Sequence, residues 1–167
     1  MLTGLFRDPD SAENAYRSLR ERGYTDDEIN VMMSDATRNK YYVSKDSALH
    51  DNKALEGMGV GGAIGGALGA IIGGIAAIGT NVLLPGLGLI VWGPIAAALT
   101  GAGAGGFTGG LVGVLIGAGI PEDRALEYET GIRNGGTVLG VTPRTPEDAD
   151  YFENEWKSRY NGEYVYR

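Results

Sequence analysis

Near the N-terminus, hydrophobic and polar positions alternate in a pattern that predicts a strand, a helix and a second strand. The apolar segment 2–6 is typical of a short strand. Asp8-Pro9 follows, which is an N-cap residue with proline at the first helical position. The helix should bury the apolar residues that recur at helical spacing: Ala12, Ala15, Tyr16 and Leu19. Gly23 ends this helix, and alternating apolar residues then predict a half-buried strand at 29–34.

The C-terminal part repeats this arrangement. Pro121 opens a helix whose inner face is predicted from its apolar spacing: Ala125, Tyr128 and Ile132. A strand at 138–141 follows, and Thr145 caps another helix with an aromatic stripe: Phe152, Trp156 and Tyr160. The segment 164–166 can close the sheet as an edge strand. The chain order is βαβ, insert, α, βαβ, so we predict an α+β fold, a ferredoxin-like split βαβ…βαβ unit interrupted by an insert.

The insert is uncharged and rich in glycine. No charged residue and no histidine lies between Glu56 and Glu122. Glycines recur there at every fourth position, and we predict that they are the helix-packing and assembly residues: Gly61, Gly65, Gly69, Gly73, Gly101, Gly105, Gly109, Gly113 and Gly117. Residues four apart share one helix face, so such rows form the small-xxx-small interface of membrane helices. Glycine costs about 1 kcal/mol per helical position relative to alanine, which close packing or lipid must offset.

These rows predict a glycine-zipper α-helical hairpin. We place its helices near 55–79 and 94–119. Each helix would be about 37 Å long, against a hydrocarbon core of about 30 Å. The connector 80–93 is apolar. It should therefore lie at a membrane, with Trp92 near the headgroups, or be buried against other copies of the chain.

Three segments follow from this interpretation. Residues 1–53 form the N-terminal βαβ half with a polar linker, 54–120 form the hairpin, and 121–167 form the C-terminal αβαβ half. Within the first segment, 34–52 is polar and predicts a linker or loop. Its Tyr41-Tyr42 pair can pack against the domain.

Composition narrows the function classes. The net charge of −7 and the pI of about 4.7 argue against binding to nucleic acid or to anionic headgroups through a basic patch. The chain has no cysteine and a single histidine, so we expect no disulfide, no metal site and no cofactor. The N-terminal residues do not resemble a signal peptide. We therefore expect a protein that is not secreted and is cytoplasmic or associated with the inner membrane, with both termini cytoplasmic.

At this level the chain resembles a bacterial general stress protein family of the heat-induced type, with a glycine-zipper insert. The segments that carry the resemblance are 4–6, 29–34, 84–88, Gly93-Pro94, 117–122, 131–136 and 164–167. They are spread over nearly the whole chain. The resemblance implies stress-associated expression and no catalytic residues, and it transfers no functional residue to this sequence.

Other motifs are better explained structurally. The G-x-G-x-x-G pattern occurs at 57–62 and 101–106, but the first match does not follow the strand that a dinucleotide site requires, and the second lies inside a glycine row that continues to Gly117. His50 lies in a polar segment and is expected to be solvated. The acidic clusters at 26–28 and 147–150 lack the ligand spacing of a calcium loop and are expected to start helices.

We therefore predict a non-catalytic, stress-associated protein that self-assembles through its zipper helices in or on a membrane. Its partners would be other copies of itself and, at a membrane, lipid, and not nucleic acid. A soluble ring, shell or filament with the hairpins at its centre is the alternative. A small-molecule or nucleotide sensor that uses the ferredoxin-like half is a third hypothesis.

Overall fold

The computed structural model of the chain describes residues 1–42, 82–84, 88–101 and 110–167. In these ranges the strands are β1 (Leu2–Phe6), β2 (Ile29–Ser34), β3 (Val82–Leu84), β4 (Leu89–Trp92), β5 (Thr137–Val141) and β6 (Glu163–Tyr166). The helices are α1 (Pro9–Glu21), α2 (Asp35–Tyr41), α3 (Pro94–Gly101), α4 (Gly110–Gly117), α5 (Glu122–Arg133) and α6 (Pro146–Ser158), with a 3-10 turn at Asp26–Glu28.

The strands form one antiparallel sheet in the order β3-β4-β2-β5-β1-β6. Strands β1 and β2 both run antiparallel to β5, so they are parallel to each other with β5 between them. Helix α1 connects them. Helix α6 connects β5 to β6 around β1 in the same way. The fold class is therefore α+β, as predicted.

Caps and apolar faces at the two ends of the chain are confirmed. The Asp8 side chain accepts the N–H of Ser11, and Thr145 accepts that of Asp148. Gly23 lies in the left-handed region, with a φ of +82°. The predicted inner faces of α1, α5 and α6 are buried at these positions: Ala12, Ala15, Tyr16, Leu19, Ala125, Tyr128, Ile132, Phe152 and Trp156. Tyr160 lies beyond the end of α6 and is partly buried against the same core.

Helices cover both faces of the sheet. Helices α1 and α6 share one apolar core with side chains of one face, among them Phe6 and Val31. Helices α3, α4 and α5 share a second core with the other face, which includes Leu5 and Met32. The prediction that β2 is half-buried is wrong, because these helices also bury Met32 and its neighbour Asn30.

The connector of the predicted hairpin is not a tip in the structure. Residues 82–84 and 89–92 are the strands β3 and β4, and β4 pairs with β2 from Val31↔Trp92 to Ser34↔Leu89. Leu89–Trp92 is rich in β-branched and aromatic residues, and pairing with β2 gives hydrogen-bond partners to an edge that would otherwise be open. Trp92 donates its indole N–H to the carbonyl of Asp26 at 3.2 Å. That bond anchors the indole to the loop before β2.

The second zipper helix was expected over 94–119, and the described part of it is shorter. Helices α3 and α4 have eight residues each, about 12 Å. Gly110 has a φ of +65°, so a right-handed helix cannot continue through it. Among the described residues, no helix combines the length and the apolar character needed to cross a membrane. The first zipper helix, near 55–79, lies outside the described residues.

Part of the expected loop at 34–52 is helical. The Ser34 hydroxyl accepts the N–H of Thr37 at 3.0 Å and caps α2. The polar composition of 35–41 concealed this cap in the sequence. Tyr42 is buried in the core beside α1, and Tyr41 packs against it, as the sequence predicted.

Gly93 fixes the approach of α3 to the sheet. It has a φ of +94°, and a Cβ there would lie 2.2 Å from the carbonyl oxygen of Ile29. Only glycine fits both the left-handed backbone and this close contact. The start of α3 is therefore seated directly on the first residue of β2.

Replacing Gly93 with alanine should strongly destabilise the protein. The left-handed conformation and the backbone clash together should lower the free energy of unfolding by more than about 2 kcal/mol. Gly23→Ala is the matched control, because Gly23 is also left-handed but has nothing within 4 Å of its added Cβ. We expect it to lose only about 1 kcal/mol. Urea unfolding measures both variants, and equal losses would contradict the close seating of α3.

Candidate functional site

Helix α4, which belongs to the insert, has one buried side and one side without described neighbours. Leu111, Val114 and Leu115 are buried against the sheet and α5. The opposite side, which we call the glycine face, consists of Gly113, Ile116 and Gly117, while Val112 at its border is partly buried against the core. A Cβ added at Gly113 or Gly117 would meet nothing within 4 Å among the described residues, and Ile116 is 43% exposed. The glycine face is thus an apolar helix surface on which backbone lies open.

Charge distinguishes this helix from those on the other side of the sheet. Helices α3 and α4 contain no charged residue. Helices α1 and α6 carry ion pairs one turn apart, such as Arg17–Glu13 at 3.4 Å and Lys157–Glu153 at 2.6 Å. Each exposed pair contributes little stability, but such pairs are typical of a solvated surface. On this face of the sheet only α5 among the described helices is charged, and it carries the pair Arg133–Glu129 at 2.7 Å.

The structure describes three of the predicted assembly residues. Gly113 and Gly117 lie on the glycine face, and Gly101 is the last residue of α3. The other predicted residues lie outside the described ranges: Gly61, Gly65, Gly69, Gly73, Gly105 and Gly109. The packing of one glycine row against the other therefore stays a prediction. His50 and the first G-x-G-x-x-G match are also outside the described ranges.

A second candidate lies at the end of the sheet where β2 begins and β5 ends. We call it the loop clasp: Arg22, Tyr24, Glu28, Arg144 and Asp148. The Tyr24 hydroxyl accepts the backbone N–H of Arg144 at 2.7 Å and donates to Asp148 Oδ2 at 2.8 Å. Arg22 also pairs with Asp148. The Arg144 guanidinium donates to both carboxylate oxygens of Glu28, at 2.9 and 2.6 Å.

The pKa values of the two carboxyl groups in the loop clasp indicate a structural role. Hydrogen bonds from Arg144 and from the backbone and hydroxyl of Thr25 lower the pKa of Glu28 to about 2. Tyr24 and then Arg22 lower the pKa of Asp148. Both carboxyl groups are therefore ionised at neutral pH and matched by an arginine. A general acid needs a raised pKa, and the pKa of neither carboxyl group is raised. The role that the geometry supports is structural, because these bonds join the loop before β2 to the loop after β5.

The acidic clusters belong to this local structure. Glu28 completes a capping box with Thr25, and Asp148 lies in the first turn of α6 behind its cap Thr145, as the sequence predicted. Within the described ranges, no group of three or more His, Cys, Asp or Glu side chains is placed to hold a metal ion. The sequence did not reveal the partnership of Glu28 with Arg144, because 116 positions separate them and no local pattern encodes the pair.

Comparison with known proteins found no family model, no curated protein and no solved structure that matches this chain. The candidate sites therefore depend on the chemistry of their own residues.

Acid should weaken the loop clasp. The pKa values of Glu28 and Asp148 are both lower in the folded protein, so their ion pairs with Arg144 and Arg22 stabilise it fully above the unfolded pKa values of about 4. This stability is lost as the pH falls from about 4.5 towards 2. Glu28→Gln should lower the melting temperature at pH 7 and reduce its decline across that pH window.

Asp27→Asn is the control for that experiment, since it removes the same charge from the adjacent exposed position. Melting temperatures of the three proteins between pH 2 and 7 give the answer. Parallel curves for the wild type and Glu28→Gln would contradict the assigned role of the Glu28–Arg144 pair.

Proposed function

We propose that this chain is a non-catalytic protein that self-associates through its uncharged helical insert. The observation that carries the proposal is the glycine face of α4, where Ile116 is exposed and a Cβ at Gly113 or Gly117 would meet nothing within 4 Å among the described residues. A helix from a second copy can approach such a surface closely, since no side chain separates the two backbones. Many close van der Waals contacts then offset the intrinsic cost of helical glycine.

Contact between copies explains this surface better than contact with lipid. Glycine exposes little apolar area, so burying it in lipid gains little transfer energy, whereas a second helix gains close packing. The chain carries a net charge of −7, so copies repel each other except where their surfaces lack charge. A soluble homo-oligomer is therefore our first candidate. Assembly in or on a membrane is the second, supported by the uncharged sequence between Glu56 and Glu122.

The same proposal includes the finer architecture. The order β2-β5-β1-β6 with α1 and α6 supports a ferredoxin-like unit. We propose that the glycine-rich residues 54–120 interrupt it and contribute β3, β4, α3 and α4 to it. Stress-associated expression remains an expectation from the family resemblance.

Gly113→Leu should weaken self-association, and Gly113→Ala should not. Both replacements favour the helix by up to about 1 kcal/mol, and the Cβ that they share would meet nothing within 4 Å among the described residues, so both should preserve the folded subunit. Only leucine fills the groove that a second backbone would occupy. Light scattering after gel filtration, over a hundredfold range of concentration, measures the mass.

We expect the wild type and Gly113→Ala to form the larger species, and Gly113→Leu to dissociate at concentrations at least tenfold higher. A wild type that stays monomeric throughout would overturn the proposal, as would equal masses for the two variants. Repeating the series with lipid vesicles and flotation separates the candidates. Vesicle binding by the wild type that Gly113→Leu retains would favour the membrane over contact between copies.

A further inference from the structure

Asn30 is a buried polar residue in the middle of an apolar strand. It is only 2% exposed, and its neighbours along β2 are hydrophobic. Side chains alternate between the faces of a strand, so Asn30 shares the face of Met32, which α3, α4 and α5 cover. Burying an amide is unfavourable unless it is hydrogen-bonded. A partner must therefore explain why this position is not another valine or methionine.

That partner is the first free N–H of α3. Asn30 Oδ1 accepts the backbone N–H of Ile95 at 2.8 Å. Pro94 has no N–H, and the N–H of Ile95 lies in the first turn, where a helix provides no partner of its own. The carbonyl of Gly93 accepts from Ala97 at 3.2 Å, which places Gly93 at the N-cap position.

Gly93 cannot perform the usual capping role, because it has no side chain, and no other residue fits its place beside Ile29. Asn30, on the strand beneath α3, supplies the acceptor oxygen that Gly93 lacks, although it lies 65 positions away in sequence. The opposite strand makes room for it. Gly140 is the register partner of Asn30, and a Cβ at Gly140 would lie 3.4 Å from that of Asn30.

The short hydrogen bond of Asn30, to the N–H of Ile95, is made by its amide oxygen. Asn30 Nδ2 has only long contacts, 3.5 Å to the carbonyl of Gly140 and 3.8 Å to Met1 Sδ. A hydrogen-bond acceptor is therefore the chemical property that this position requires. A leucine has a similar volume but no acceptor, and would leave the Ile95 N–H buried without a partner.

We infer that Asn30 is a positioning residue, which caps α3 from the sheet and fixes the insert on the α/β core. Its effect on assembly rests on the proposed function, since α3 and the glycine face of α4 belong to the same uncharged insert. Its effect on α3 itself does not depend on assembly. Two separate readouts can therefore test the two statements.

Hydrogen exchange at low concentration tests the positioning role. In Asn30→Leu, amides of α3 should exchange about tenfold or more faster than in the wild type, while those of β1 and β5 remain protected. Asn30→Asp retains the acceptor at a helix N-terminus, which offsets part of the cost of burying a carboxylate, so it should keep more of the protection of α3 than Asn30→Leu does. Thr130→Leu, on the exposed side of α5, is the control for adding a leucine.

Equal exchange of α3 in the wild type and Asn30→Leu would overturn the inference. So would equal loss of protection in the Leu and Asp variants, because the acceptor would then be irrelevant. Gel filtration of the same proteins at high concentration gives the second readout, and Asn30→Leu should assemble less. A wild type that never assembles would refute the proposed function, while a faster exchange of α3 in Asn30→Leu would still support the cap.

Discussion

Burial of both faces of one antiparallel sheet is the constraint from which the rest of the structure follows. The chain's two ends supply α1 and α6 for one face and α5 for part of the other. Helix α5 does not cover the second face alone. Helices α3 and α4 complete it with Ile95, Leu111 and Val114, so the uncharged insert serves first as core. Because α3 must lie close to β2, Gly93 approaches Ile29 closely and Asn30 takes the place of a local cap.

The uncharged composition of the insert also leaves one side of α4 apolar and exposed among the described residues. A helix that is apolar on all sides is normally buried on all sides. Helix α4 buries one side against the sheet and has Gly113 and Ile116 on the other. Across the sheet, α1 and α6 are covered by charged residues in the manner of a solvated surface. This difference supports the proposal that copies meet on the insert side. The loop clasp ties together the loops at the end of the sheet where β2 begins and β5 ends.

Local signals predicted the local structure well. Asp8 and Thr145 behave as caps, and the helical spacing of residues such as Tyr16 and Tyr128 identified the buried faces. The α+β class followed from the order of these elements. Long-range pairing could not be predicted in the same way. The apolar sequence of residues 89–92 is compatible with a membrane tip and with a strand. Only the edge of β2, which is available for pairing, makes this segment a strand.

The candidate site shows the same division. Four-residue spacing placed Gly113 and Gly117 on one side of a helix, because helix geometry is local, and their role in packing against another helix stays a prediction. Asn30 had no visible signal, since its partner Ile95 lies in another part of the chain. The pairing of Glu28 with Arg144 was hidden for the same reason.

Hydrogen exchange of the unmodified protein at increasing concentration tests the central claim most directly. If copies meet through the glycine face of α4, amides of α4 should become more protected as the protein is concentrated, while those of α1 and α6 stay unchanged. Protection that rises on α1 and α6 instead, or that does not depend on concentration in α4, would contradict this account.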